Sequence, residues 1–116
     1  MTLKLYGIPN CDTVKKARAQ LDADGRGYTF IDFKKGGVPP ARLDAWLAAV
    51  GWETLLNRKG TTWRKLSPEQ RDAVIDAGSA RELMLREPSV VKRPVVEWSD
   101  GRITVGLDPQ AWQTHA

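Results

Sequence analysis

The sequence predicts an α/β fold in which strand-forming ends enclose a helical middle. Three observations lead there. An alternating run, a periodic helix and an aromatic, β-branched run fill residues 3–33. Helical spacing and helix caps then dominate residues 39–88. Strand signals return in residues 94–105, around an Asp-Gly turn. At 116 residues the chain has the length of one domain, so the expectation is a single domain over residues 1–116 with a helical insert at about 39–88.

Each element has its own justification. Residues 3–6, Leu-Lys-Leu-Tyr, alternate as a half-buried strand does. After a Gly/Pro turn, Val14, Ala17 and Leu21 recur at spacings of three and four, and Gly25 and Gly27 end that helix. Residues 28–33 read as a second strand. Strand, helix and strand within about thirty residues make a β-α-β unit with parallel pairing. Lys34-Lys35-Gly36-Gly37 reads as a loop. Pro39-Pro40 opens a helix carrying Leu43, Trp46, Leu47 and Val50, closed by Gly51. A short turn at residues 52–56 leads to the polar loop 57–62 and Trp63. Ser67-Pro68-Glu69-Gln70 is a capping box, and Ser79-Ala80-Arg81-Glu82 reads as a second one for the helix that stops at Pro88. Two strands, 94–98 and 102–105, flank Ser99-Asp100-Gly101, which reads as a two-residue Asp-Gly hairpin. Asp108-Pro109 starts a last short helix with Ala111 and Trp112. The order is β-α-β, three or four helices, then β-β-α. Without the insert this is the connectivity of a thioredoxin-like sheet. Trp46, Trp52 and Trp112 lie on apolar stripes and read as packing residues, and packing is also expected for Trp63.

Composition removes several classes of function. One cysteine cannot form an internal disulfide, and one histidine cannot complete a zinc site with it, so no metal is expected. That histidine, His115, stands next to the end of the sequence and is given no role. No apolar run approaches the roughly 18 residues a membrane span needs, and Met1 is not followed by a charged and then apolar leader. The expectation is a cytoplasmic protein with no membrane partner, where an unpaired thiol stays reduced. The net charge of +4 favours anionic partners. The basic residues are scattered in doublets without any nucleic-acid-binding motif, which argues against nucleic acid.

The chemistry concentrates at Cys11, which stands where the first strand gives way to the first helix. Free N–H groups and the positive end of a helix dipole favour a thiolate there, and the thiolate is the nucleophile. In the expected topology the first strand delivers this cysteine to the carboxyl end of the sheet, where α/β proteins bind ligands. A phosphatase-type loop would need an arginine after five intervening residues. Ala17 stands at that position and Arg18 is one residue late.

Three blocks, taken in order, carry a resemblance: Asn10-Cys11-Asp12-Thr13-Val14-Lys15-Lys16-Ala17; Leu55-Leu56-Asn57 leading to Gly60-Thr61-Thr62-Trp63-Arg64-Lys65-Leu66; and Lys92-Arg93-Pro94. Together they resemble the ArsC/Spx arsenate-reductase-like family, in its YffB branch, over essentially the whole chain. The resemblance implies a thioredoxin-like fold with a helical insertion, a catalytic role for Cys11, an arginine near the thiol at Arg93 and a cis-proline at Pro94 that presents backbone to a thiol substrate. Asn10, Thr13 and Lys15, with Arg93, are the groups expected to favour the thiolate. A family arginine two residues before Thr61 falls on Lys59 here, with Arg58 beside it. Arg58, Lys59, Arg93 and Pro94 are therefore the expected glutathione- or anion-binding set. The later anion-binding arginine of authentic arsenate reductases aligns near Gly106, which offers no cation. The C-x-x-C pair of Spx-type regulators is absent, because Val14 stands three residues beyond Cys11.

With one reactive thiol, the second must come from solution. The expected function is a glutathione-dependent monothiol reductase or oxidoreductase, with glutathione as co-substrate, no tightly bound cofactor, and an oxidised or mixed-disulfide substrate. Arsenate reduction is the alternative within enzymes. A non-enzymatic Spx-like regulator that binds a protein partner such as RNA polymerase is the alternative outside them.

Overall fold

The computed structural model describes residues 3–112. The α/β, thioredoxin-like expectation holds. A four-stranded sheet has the order β2-β1-β3-β4, formed by β1 (Lys4–Gly7), β2 (Thr29–Asp32), β3 (Val95–Glu97) and β4 (Ile103–Val105). β1 pairs parallel with β2 and antiparallel with β3, and β3 pairs antiparallel with β4. The chain divides into two compact units. One joins residues 1–35 to residues 93–116 and holds the sheet; the other is the helical segment 36–92.

In the sheet unit, α1 (Asp12–Ala23) buries Val14, Ala17 and Leu21 completely, as their spacing predicts. Its end is a Schellman motif. Gly25 takes φ 69°, its N–H donates to the carbonyl of Asp22, and the N–H of Arg26 donates to that of Leu21. These helix residues pack with Leu3, Leu5, Val96, Trp98 and Trp112 into one core, against which Cys11, Tyr28, Phe30 and Leu107 also lie. Each buried leucine of this set contributes about 1.5–3 kcal/mol of transfer free energy. Trp98 and Trp112, the latter on α8 (Pro109–Trp112), meet edge to face with centroids 5.5 Å apart.

Three local expectations are corrected in or beside this unit. Phe33, placed in a strand by sequence, instead begins a single helical turn, α2 (Phe33–Gly36). The cause is Asp32, whose Oδ1 accepts from the N–H groups of Lys34 and Lys35 at 3.0 and 3.2 Å. β1 does not keep the alternation of a half-buried strand, because Tyr6 is buried as Leu5 is, and its hydroxyl donates to Glu97 Oε1 at 3.3 Å across the β1–β3 pair. The final hairpin has a three-residue loop. Trp98 N–H donates to the carbonyl of Arg102, Gly101 N–H donates to that of Trp98, and Gly101 takes φ 90° at the end of the turn.

The helical unit contains α3 (Pro40–Val50), α4 (Trp52–Leu55), α5 (Thr61–Lys65), α6 (Pro68–Asp72) and α7 (Ala77–Arg86), followed by a 3₁₀ turn at Pro88–Val90. That is more helices than three or four, because α4, α5 and α6 are single turns. Val38, Leu43, Trp46, Leu55, Leu56, Ala80, Leu83, Met84, Val90 and Val91 are its buried hydrophobic residues. Leu56 and Val91 form an antiparallel bridge, flanked by 2.7 Å bonds from Asn57 N–H to the Val90 carbonyl and from Lys92 N–H to the Leu55 carbonyl. The capping box at Ser67 and Gln70 is present. The second box is shifted by three residues. Asp76 is the N-cap and Ser79 the third helical residue, each side chain bonded to the other's backbone N–H at 2.9 and 3.1 Å. Trp52 is only half-buried, with the Arg58 guanidinium 5.3 Å from its ring centroid. Trp63 is likewise half-buried. No helix among the described residues is long and apolar enough to cross a membrane.

Candidate active site

β1 sits in the interior of the sheet, so whatever follows Gly7 emerges at a fixed place. Cys11 N–H turns back to the carbonyl of Ile8 at 3.3 Å, and the Cys11 carbonyl accepts from Lys15 N–H at 2.9 Å as the first bond of α1. Cys11 is thus the N-cap of α1, with φ −109° and ψ 124°. The approach of strand and helix is close. A Cβ on Gly7 would stand 2.8 Å from Cγ2 of Val14, so only glycine fits there without displacement.

The second half of the site arrives along β3. Tyr6 pairs with Val95 in the antiparallel register, which brings the preceding Pro94 and Arg93 to the end of β1 from which Cys11 departs. The Arg93–Pro94 peptide bond is cis, and Pro94 is buried. The Arg93 guanidinium hydrogen-bonds and is electrostatically coupled to the Cys11 sulfur.

The electrostatics favour ionisation. Partial burial of the thiol, the largest single influence, opposes it. That opposition is outweighed by the Val14 backbone N–H, the hydrogen bond and charge of Arg93, and the Thr13 backbone N–H. The net result is a Cys11 pKa below the ordinary thiol value. As a neutral thiol Cys11 closes no conventional side-chain cap, so these groups act chiefly on the anion. The sulfur is half-buried and reduced, and the sequence holds no second cysteine to pair with it. A thiolate beside a guanidinium can attack an electrophilic sulfur or arsenic and keep a negatively charged substrate close.

The other sequence-derived residues fall as follows. Thr13 acts through its main chain. Asn10 and Lys15 are exposed, and the Lys15 N–H is engaged by the Cys11 carbonyl. Arg58 and Lys59 belong to the helical unit and are exposed, in a turn where Asn57 Oδ1 accepts from Lys59 N–H at 3.0 Å. Gly106 N–H donates to the Pro94 carbonyl at 2.8 Å, and its φ of 89° is one that a side-chain-bearing residue adopts only with strain. His115 lies outside the described residues. Val14 was legible only as a core residue, yet its N–H acts on the thiolate. Its position as the third residue after the N-cap is the signal, since that is where a cap side chain finds its donor.

The sequence matches the ArsC family model over residues 6–115. The solved structure of the YffB protein is 49% identical, with a TM-score of 0.90, covering 97% of this chain and 96% of that one. An arsenate reductase (ArsC) related protein from Brucella melitensis is 53% identical, with a TM-score of 0.76, over 97% of this chain and 92% of its own. The arsenate reductase of Rhizobium meliloti is 29% identical over 102 residues, 83% of this chain and 69% of its own length.

Proposed function

Because the chain belongs to the ArsC family, we propose that it is a thiol oxidoreductase in which Cys11 is the nucleophile and glutathione supplies the second thiol. The observation that carries this reading is the Cys11–Arg93 pair, a thiol of lowered pKa beside a guanidinium. In the first step the Cys11 thiolate attacks one sulfur of a glutathione mixed disulfide. A Cys11–glutathione disulfide forms, the substrate S–S bond breaks, and the substrate leaves as a thiolate that takes a proton from water. In the second step a glutathione thiolate attacks the sulfur of the bound glutathione, releasing oxidised glutathione and restoring the Cys11 thiolate. Over the cycle the mixed disulfide and one glutathione become the free substrate thiol and oxidised glutathione, and Cys11 is returned unchanged.

Arg93 stabilises the attacking thiolate before the first step and the departing one in the second, and its fork-shaped donor set suits a glutathione carboxylate. Pro94 supplies backbone beside the sulfur. The reading belongs to a reducing, cytoplasmic setting in which glutathione is abundant.

Arsenate reduction is a second reading, favoured by the likeness to the Rhizobium meliloti enzyme. It would begin with attack of the same thiolate on arsenic and end with two thiols oxidised to a disulfide. Gly106 counts against it, since the position offers no cation for a dianion and its backbone conformation favours glycine.

The test is mass spectrometry of the intact protein after exposure to oxidised glutathione. One adduct on Cys11, removed by added glutathione and slower to form in Arg93→Ala, is the expected result. An accessible Cys11 that forms no adduct overturns the glutathione reading. It would leave the Spx-like protein-binding module as the better account.

A further inference from the structure

Away from Cys11, the sheet unit has a concavity of about 350 Å³ lined by Arg18, Asp22, Arg26, Gly27, Tyr28 and Phe30. Arg18 lies seven residues along α1 from Cys11, about 10 Å at 1.5 Å per residue, and Asp22 lies one turn further on. Arg18 and Asp22 share a helix face at a spacing of four, and Arg26 follows just beyond the helix C-terminus.

Both guanidiniums are held in place. Arg18 stacks over Phe30 with its Cζ 4.3 Å from the ring centroid, and its Nε donates to the Tyr28 hydroxyl at 3.1 Å. Arg26 stacks over Trp98 at 5.2 Å, and its Nη2 donates to the Trp112 carbonyl at 3.1 Å. Neither arginine forms a salt bridge to Asp22 or to another acid among the described residues, so most of their N–H groups remain for a ligand. Rigid, aromatic-backed guanidiniums lose little freedom when they bind a carboxylate, unlike a lysine on a free stem.

We propose that this concavity binds a dicarboxylic amino acid, with the carboxylates on Arg18 and Arg26 and the ammonium on Asp22. The charges of the site, two cations and one anion, are the complement of such a ligand, two anions and one cation. Asp22 selects against a plain dianion, because an acid at the same site repels a phosphate or dicarboxylate that brings no cation. The volume accommodates a small molecule of this kind and is open at the surface. The site is separate from the thiol chemistry and does not rest on it.

The test is a titration of the ¹⁵N-labelled full chain with L-glutamate, followed by NMR, alongside glutarate, which lacks the ammonium, and inorganic phosphate. L-Glutamate is expected to saturate shifts at Arg18, Asp22, Gly27 and Tyr28 and to bind about tenfold tighter than glutarate, the equivalent of one good charged contact. Asp22→Asn, an exposed helix substitution, should erase that preference, and Arg18→Leu should abolish the shifts while signals elsewhere stay unchanged. Cys11→Ser should bind as the parent does. Absence of saturable shifts with L-glutamate overturns the proposal. So does phosphate or glutarate binding as tightly as L-glutamate, or a preference that survives Asp22→Asn.

Discussion

Gly7 and Val14 meet so closely that a Cβ on Gly7 would stand 2.8 Å from Cγ2 and 3.1 Å from Cγ1 of Val14. One is the last residue of β1, and the other carries the N–H group that most favours the Cys11 thiolate. The packing of strand on helix therefore sets the position of the donor as well as that of the nucleophile.

Gly7→Ala is expected to destabilise the protein by about 1–3 kcal/mol, the usual cost of overpacking a core. It should also raise the Cys11 pKa, because relief of the clash moves Val14. Urea unfolding measures the first effect and the pH dependence of iodoacetamide alkylation the second. A destabilised variant with an unchanged alkylation midpoint would separate packing from thiol activation.

Arg93→Ala should move the alkylation midpoint of Cys11 to higher pH, since it removes both a hydrogen bond and a charge that favour the thiolate. Arg93→Lys should fall between the two, keeping the charge without the planar donor fork. An unchanged midpoint in Arg93→Ala would assign thiol activation to the helix N-terminus alone.

The lowered Cys11 pKa also links stability to pH. The folded-state pKa lies below the unfolded one, so the unfolded chain binds more protons between the two values, and stability gained from ionisation rises with pH there. Relative to Cys11→Ser, the parent should gain stability as pH rises from the lowered value toward the ordinary thiol value of about 8.5. The advantage should be complete above that value and absent below the folded pKa. Urea unfolding of both proteins under reducing conditions across that window reads the difference directly.

Asp76 gives a second linkage, at acid pH. The N–H and hydroxyl of Ser79 lead the influences that hold its carboxyl below the usual carboxylate value. The stabilising contribution is present above the unfolded pKa of about 3.9 and is lost as pH falls through the lowered folded value. The thermal midpoint of Asp76→Ala should lie below that of the parent at neutral pH, and the gap should narrow at strongly acid pH. A gap of constant size would mean that the charge of the cap is irrelevant.

The parts of this molecule that sequence reveals are those in which one residue type has one structural use. Val14, Ala17 and Leu21 can share a face only on a helix, and Cys11 after a Gly/Pro turn can only precede it. Where two frames satisfy the same pattern, sequence misleads. Ser79 and Glu82 match a capping box as well as Asp76 and Ser79 do, and what separates them is that Asp76 reaches the Ser79 N–H while Ser79 reaches back. The Asp100-Gly101 pair fits a two-residue hairpin, yet the strands close around three residues, with Gly101 at the position needing positive φ. Trp52 lies on an apolar stripe in sequence, but its single helical turn leaves it half-buried, and Arg58 stacks on it. The meeting of Arg93 with Cys11 is invisible to periodicity, because it depends on a strand register. What points to it in the sequence is the Lys92-Arg93-Pro94 motif shared with the family.

The sheet joins its two ends late. β1 finds β2 through a short connection, but its other neighbour is β3, and the bonded pair Tyr6 and Glu97 are 91 positions apart. As the chain leaves the ribosome, Cys11 therefore emerges long before the arginine that shares its site. Closing so long a loop is an entropic step that cannot be completed before β3 has been made. Until then the cysteine lacks the guanidinium that promotes its ionisation. Full ionisation of the thiol thus depends on a long-range contact and not on α1 alone.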